Sequence, residues 1–289
     1  TKAVFGESLF TLTKRLKLVT GIRWDHIGLD YTPNATGVTA SKVFEPITGR
    51  AGLVFTIHPD VNLYVSNSRS IEPTSALVSL AGASQQFSLQ PTRQWETGVK
   101  ATFLKGRLDT EAAYFAIGKR NILTRNIVDG VNLQQQIGRQ VSRGVEFSFV
   151  GRPISNFMLS GDLTVLNAEY AEFNENLPAG GIISRSGNDV PHVPAVIWNL
   201  TPSHRIGPLM VSATVRNVGG RFSDNANTRR LRPYTTLDTS VSIRFFRGTR
   251  LTLTGRNLTD EIYIPRSNTD FSGRIAAPRN YNVQITKSF

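Results

Sequence analysis

The 289-residue chain has no cysteine and two methionines. Without thiols, neither a disulfide framework nor a thiolate metal site can form. No apolar run approaches the roughly 18 residues of a spanning helix, so passage through a bilayer would have to be made by strands. The amino-terminal stretch Thr1-Lys2-Ala3-Val4-Phe5 shows no secretory leader, which reads as a mature chain or one whose beginning is missing. Segments with helical period are almost absent too.

Acidic residues are outnumbered. Against 33 Lys and Arg there are 21 Asp and Glu, a formal net charge of +12, with a pI near 10.4. Such a balance raises nucleic acid as a partner. The distribution argues otherwise: apart from Arg221, Arg229, Arg230 and Arg232, the cations are mostly scattered singly through strand-like segments and connections. No recognition helix, zinc spacing or RNA-binding strand motif accompanies them, so no nucleic-acid partner is expected.

What the chain does have is alternation. About thirteen segments carry strand patterning: 3–13, 17–31, 49–58, 61–71, 93–104, 107–125, 136–151, 157–172, 195–206, 209–219, 234–246, 249–263 and 277–289. Trp95, Thr97, Val99, Ala101 and Phe103 share one face, opposite Glu96, Gly98, Lys100 and Thr102. Leu237, Thr239, Val241, Ile243 and Phe245 oppose Asp238, Ser240, Ser242 and Arg244. In the last segment Tyr281, Val283, Ile285 and Phe289 oppose Asn282, Gln284, Thr286 and Ser288, because successive strand side chains point to opposite sides.

The connections alternate as well. Short turns at 13–16, 58–60, 104–107, 152–156, 206–208 and 246–249 are interleaved with longer links at 32–42, 72–91, 126–135, 173–194, 219–233 and 264–276. A meander of this kind gathers its short turns at one rim and its long loops at the other. That is the anatomy of an outer-membrane barrel, with an apolar face to lipid and a polar face to the lumen. A Greek-key sandwich has no reason to keep the order. The fold expected is all-β, an antiparallel up-and-down transmembrane barrel meander of about 12–14 strands in the bacterial outer membrane.

Several blocks, in order, resemble the TonB-dependent siderophore receptors. They are Tyr64-Val65-Ser66-Asn67-Ser68-Arg69-Ser70-Ile71-Glu72-Pro73, then Gln90-Pro91 with Trp95-Glu96-Thr97-Gly98-Val99-Lys100, Gly106-Arg107-Leu108 and Tyr114-Phe115-Ala116-Ile117 with Asn121. Ser142-Arg143-Gly144-Val145-Glu146, Val190-Pro191-His192-Val193-Pro194, Arg256-Asn257-Leu258-Thr259-Asp260-Glu261-Ile262-Tyr263 and Pro278-Arg279-Asn280 continue the series. Lys287 departs from the family's frequent aromatic, and His192-Val193-Pro194 from its commoner basic pattern.

The resemblance implies a receptor that imports a ferric siderophore with energy from the TonB system, iron entering only within the chelate and with no cofactor. It also implies an amino-terminal plug and a barrel of about 22 strands, of which residues 1–289 would be the carboxy-terminal barrel portion. An odd strand number points the same way, since single-chain bacterial barrels close with even numbers. Tyr281, Val283, Ile285 and Phe289 form the expected signal for the barrel assembly machinery.

Binding is a better reading of the polar residues than catalysis. Arg216, Arg221, Arg229, Arg230 and Arg232 gather in one long loop and the strand end before it, with Phe222 and Tyr234 interleaved. Arginine forks suit carboxylate, catecholate or phosphate oxygens, and aromatics stack on flat ligands, so a ferric chelate or the phosphates of lipopolysaccharide would fit. Arg185, Asn188, Arg266 and Arg274 are further loop candidates. Asp109 and Glu111 share a face, as lumen-lining residues do. Asp25 and His26 point to opposite faces and cannot address one substrate. The four histidines show no metal spacing, and Ser142, Ser160 and Ser240 sit in no nucleophile motif. Gly180-Gly181 and Gly219-Gly220 lack the helix that a phosphate cradle needs. The chain is therefore not expected to be an enzyme; a passive porin-like channel and, less favoured, a barrel hydrolase are the rivals.

Overall fold

The structure is a computed structural model that describes residues 1–32, 40–72, 88–128, 131–177, 180–245, 248–267 and 273–287. Ser288 and the terminal Phe289 of the assembly signal lie outside the described residues. The first strands are β1 (Lys2–Thr11), β2 (Leu16–Tyr31), β3 (Ala40–Phe44), β4 (Ile47–His58), β5 (Val61–Glu72), β6 (Gln90–Phe103) and β7 (Leu108–Val128). Next come β8 (Val131–Ile154), β9 (Phe157–Glu172), β10 (Asn174–Asn176), β11 (Ile182–Ser184), β12 (Val196–Ile206) and β13 (Leu209–Val218). The last are β14 (Arg221–Phe222), β15 (Arg230–Leu231), β16 (Tyr234–Arg244), β17 (Thr249–Arg256), β18 (Arg266–Ser267), β19 (Gly273–Arg274) and β20 (Asn280–Lys287).

One sheet takes up the order β1-β2-β4-β5-β6-β7-β8-β9-β12-β13-β16-β17-β20, with β3 attached to β2. The thirteen strands of that path correspond one for one to the alternating segments of the sequence. Three small hairpins, β10–β11, β14–β15 and β18–β19, decorate long connections. Two boundaries differ from expectation. The link at 126–135 is largely strand, because β7 and β8 run on to Val128 and Val131. The segment 249–263 stops pairing at Arg256, where Asn257 turns left-handed at φ 50°.

Chain contacts divide into two units, Thr1–Gly98 with Tyr114–Arg143 and Ala168–Val190, and Val99–Ala113 with Gly144–Asn167 and Pro191–Phe289. Within the second unit, register sorts the side chains. Antiparallel partners lie on the same face of a sheet. Val241 pairs with Val211 and Leu253, and Leu253 with Val283; Ile243 pairs with Leu209 and Leu251, and Leu251 with Ile285. On the other face Ser240 meets Ser212 and Thr254, and Thr254 meets Asn282. Thr201 and Thr214 join hydroxyls there at 2.9 Å, and Asn199 donates to Asp162 at 2.8 Å.

Among the described residues, large apolar side chains of this face stay exposed. Val283 is 65% and Ile285 71% exposed, while Trp95 and Phe103 are 59% and 48% exposed. Buried apolar side chains among the described residues are few, with Tyr170 and Phe173 making an edge contact at 4.8 Å beside Ile122 and Val190. Exposed apolar patches on this scale need a non-aqueous solvent. Backbone pairing leaves the strands suited to hydrocarbon, which tolerates no unpaired peptide groups. A soluble β protein would have to cover Trp95 and Phe103, and it does not.

The first unit shows how the polar face stays neutral. Glu7 of β1, Gly21 of β2 and Arg50 of β4 lie in one row, and Arg50 forms an ion pair with Glu7 across the intervening strand. Gly21 makes this contact feasible, since a Cβ there would stand 3.3 Å from Arg50 Cγ. Nearby, Arg23 grips Asp25 with Nε and Nη2 at 2.7–3.1 Å.

A charge on one face should cost far more than on the other. Val241→Arg is expected to lose on the order of 2 kcal/mol relative to Ser240→Arg, since a lipid-facing arginine costs up to about 2–4 kcal/mol at the bilayer midplane. Urea unfolding from phospholipid vesicles measures the difference, and equal costs would contradict the face assignment.

Candidate functional site

The catalytic alternatives are occupied by structural partners. Asp109 accepts from the Thr102 hydroxyl at 3.0 Å and pairs with Arg152 at 3.2 Å, while Glu111 pairs with Lys100 at 2.9 Å. Asp25 is held by Arg23, and His26 turns to the other side, where Nδ1 meets Glu45 at 3.0 Å. Among the described residues no cluster of His, Asp and Glu could hold a metal ion.

The long-loop rim of the second unit is organised differently. After β13, Gly219 runs against the start of β12: its N–H donates to Val196 O at 2.8 Å, and a Cβ would stand 2.9 Å from that same oxygen. At Gly220 a Cβ would meet Nε and Nη2 of Arg230 at 3.2 Å, so the bare backbone gives the Arg230 side chain room to lie across it. The hairpin β14–β15 then pairs Arg221 with Leu231 and Phe222 with Arg230. His192, left-handed at φ 65°, donates its N–H to Phe222 O at 2.8 Å.

Asp224 ties the hairpin tip. Its carboxylate accepts from Thr228 N at 3.1 Å, Thr228 Oγ1 at 2.8 Å and Arg229 N at 2.8 Å. Burial alone would raise this carboxyl, but the N–H groups of Arg229 and Thr228, the Thr228 hydroxyl and the charge of Arg229 outweigh it. They hold Asp224 below the ordinary aspartate range.

Arg221 differs from its expected role as a ligand contact. It is 5% exposed, and its Nη2 donates to Ile264 O at 2.9 Å and Pro265 O at 2.7 Å. The guanidinium lies 5.5 Å from the Tyr234 ring, which stacks on Tyr263 at 3.7 Å and 16°. Arg221 therefore fastens the hairpin to the 263–265 segment and faces carbonyls, not solvent. Tyr234 is half-buried in the same stack, and Phe222, which follows Arg221 in sequence, is half-buried too. Burial raises the Tyr263 phenol, Tyr234 adds to the rise, Arg216 opposes it and Asp238 adds.

Arg216, Arg229, Arg230 and Arg232 are exposed. Of the other loop candidates, Arg185 pairs with Glu175 at 2.7 Å in the first unit, and Asn188 holds the turn back to Tyr170. Arg266 and Arg274 face each other across β18–β19. Tyr263 and Asn257 carried no functional weight in the sequence. Asn257 N–H donates to Asp238 at 2.8 Å, its amide donates to Glu261 O and Ala277 O at 3.0 and 3.3 Å, and its Oδ1 accepts from Glu261 N at 2.9 Å. Arg279 N–H closes on Asp260 at 2.9 Å. The Asn-Leu-Thr-Asp run is thus the knot that joins β16, β17 and the approach to β20.

The sheet and its loop rim coincide with a known family. A model described as TonB dependent receptor-like, beta-barrel, matches residues 1–258. The chain belongs to the TonB-dependent receptor β-barrel family. The metal-pseudopaline receptor CntO of Pseudomonas aeruginosa is 28% identical over 281 residues, covering 93% of this chain and 38% of that protein. A probable TonB-dependent siderophore receptor, PiuA of Acinetobacter baumannii, is 24% identical over 271 residues, covering 89% and 36%. The crystal structure of the Acinetobacter baumannii siderophore receptor PiuA superposes with a TM-score of 0.81 at 22% identity, covering 98% of this chain and 42% of that one. The ferric citrate transporter FecA in its unliganded form gives 0.74 at 20% identity, over 94% and 42%.

The chain spans less than two fifths of the length of these two curated relatives. It is a bacterial outer-membrane β-barrel chain, and its family is one of receptors, not enzymes. In such barrels the long loops are extracellular and the short turns periplasmic.

The hairpin tip should respond to acid in one direction. A carboxylate with a lowered folded pKa contributes its full stabilisation above the unfolded value near 4 and loses it as pH falls through the folded value. Amide exchange at Thr228 and Arg229 is expected to stay protected from pH 8 to about 4 and to open only below. At pH 7, Asp224→Ala should raise it about tenfold, matching a lost cap of about 1.4 kcal/mol; unchanged exchange in the variant would contradict this role.

Proposed function

We propose that this chain is the carboxy-terminal barrel part, within a barrel of about 22 strands, of an outer-membrane receptor that captures an anionic ferric siderophore and imports it with energy coupled through TonB. The supporting observation is the basic hairpin Arg221–Leu231, held at the long-loop rim by Arg221 and presenting Arg229, Arg230 and, just beyond it, Arg232 outward. Guanidinium forks form charge-assisted bonds to the carboxylate or catecholate oxygens left around a chelated metal. Phe222, the cross-strand partner of Arg230, adds apolar surface beside these cations, while Tyr234 is taken up in the stack with Tyr263. The relatives' names support the class: one is a metal-pseudopaline receptor and others are ferrioxamine receptors.

In this reading an amino-terminal plug in the longer protein closes the lumen and carries the TonB contact. Iron enters as cargo within the chelate, and the chain holds no cofactor. The same arginines suit lipopolysaccharide phosphates when no chelate is bound. In β20, Tyr281, Val283 and Ile285 carry the apolar alternation that the barrel assembly machinery and outer-membrane lipid would meet.

Uptake of radio-iron by an iron-starved strain tests the reading, with the whole gene deleted and restored by plasmid and a panel of catecholate, hydroxamate and carboxylate siderophores supplied. At least one chelate should depend on the gene, and Arg229→Gln/Arg230→Gln/Arg232→Gln should raise its KM about tenfold or more, with normal receptor abundance in the membrane. Uptake of every chelate independent of the gene would contradict it.

A further inference from the structure

At the opposite, short-turn rim of the second unit, Arg244 and Arg250 stand directly across from each other on β16 and β17. Phe245 N–H bonds to Thr249 O at 2.8 Å, and Arg244 N–H points the other way, to Pro208 O at 3.2 Å. The two arginines therefore form a non-hydrogen-bonded pair, the arrangement in which facing side chains lie closest. Like charges so placed are destabilising unless something neutralises them.

Nothing among the described residues does. On the same face Arg244 is followed along its strand by Ser242, and Arg250 by Thr252; across β20 the partner of Arg250 is Thr286. The next acid on that face of β16 is Asp238, six residues and about 20 Å up the strand, where it is engaged by Asn257. Both arginines are exposed, and Arg205 adds a third exposed cation on the same face of β12, beside Met210 of β13. The register places all three on the polar side with Ser203, Ser212 and Ser242, which is the lumen side of the wall.

The geometry points to an anion-binding subsite at the periplasmic mouth, in which the Arg244–Arg250 pair, flanked by Arg205, takes the carboxylate or phosphate-like oxygens of an anionic cargo leaving the lumen. Two guanidinium groups side by side offer parallel donor pairs to one multi-oxygen anion. The anion in turn removes their repulsion, so occupancy and wall stability are linked. The assignment of cargo rests on the function proposed above; the subsite itself does not.

The test uses the purified full-length receptor in detergent, in an Arg229→Gln/Arg230→Gln/Arg232→Gln background that removes the rival cations at the other rim, with inorganic pyrophosphate as probe. Saturable pyrophosphate binding is expected by calorimetry, weakened about tenfold by Arg250→Gln. Arg244→Glu should abolish it while leaving the unfolding temperature equal or higher, because a Glu–Arg pair replaces two like charges. That combination separates loss of the site from loss of the fold. Absence of saturable binding, or binding unchanged in both variants, would overturn the subsite. In the otherwise unsubstituted receptor, Arg250→Gln should lower the maximal rate of ferric chelate uptake with KM unchanged, since exit follows capture; an unchanged rate would overturn the cargo role. If the receptor takes up no ferric chelate at all, the pyrophosphate result still stands by itself.

Discussion

Everything in this chain depends on register between neighbouring antiparallel strands. The peptide groups pair laterally, and the pairing decides which side chains share a face. A slip of one residue would send Val241, Leu253 and Val283 to the polar side and Ser240, Thr254 and Asn282 into hydrocarbon. Few apolar side chains are buried among the described residues, so the apolar surface is stabilised by solvent choice more than by a core. Charges on the polar face are then matched by near neighbours, as in Arg23 with Asp25 along one strand and Lys100 with Glu111 across two. In the Glu7–Arg50 pair the partners are two strands apart, and Gly21 lies between them.

The two ends of the wall use arginine in different ways. At the long-loop rim Arg221 is consumed by structure: it bonds two carbonyls and lies by a stacked tyrosine pair, while Arg229, Arg230 and Arg232 are exposed on or beside the hairpin it fixes. The Asn257 knot does comparable work between β16 and β17, where one side chain and its backbone satisfy four partners. At the short-turn rim Arg244 and Arg250 face each other without a counter-charge among the described residues. The proposed anionic cargo, drawn to one rim and released at the other, would give both arrangements a common chemical sense.

Much of the fold was legible in the sequence because a strand in a membrane wall writes a period of two, and short turns alternate with long loops. All thirteen strands of the sheet path follow from those two signals. The errors have local causes. Residues 257–263 alternate like a strand, yet Asn257 and Asp260 are both left-handed, a state that Asn and Asp reach more readily than most residues. Residues 126–135 are polar enough to read as loop, although strands continue beyond the membrane band. Arg221 was indistinguishable from its neighbours, since no local pattern says which arginine of a cluster will meet carbonyls from a segment forty residues away. Asp109 and Glu111 were rightly read as wall residues, because same-face carboxylates in a strand are met by same-face cations on the next.

No cysteine occurs in these 289 residues, so once any cysteine elsewhere in the longer protein is replaced by serine the central claim is directly measurable. Single cysteines placed in turn at positions 236–244 of the full-length receptor in lipid vesicles, each carrying a nitroxide label, report contact with oxygen in the bilayer or with a water-soluble nickel chelate. Labels at 237, 239, 241 and 243 should favour oxygen, and those at 238, 240, 242 and 244 the nickel chelate, alternating without a break. A uniform profile, or a period near 3.6, would contradict the account.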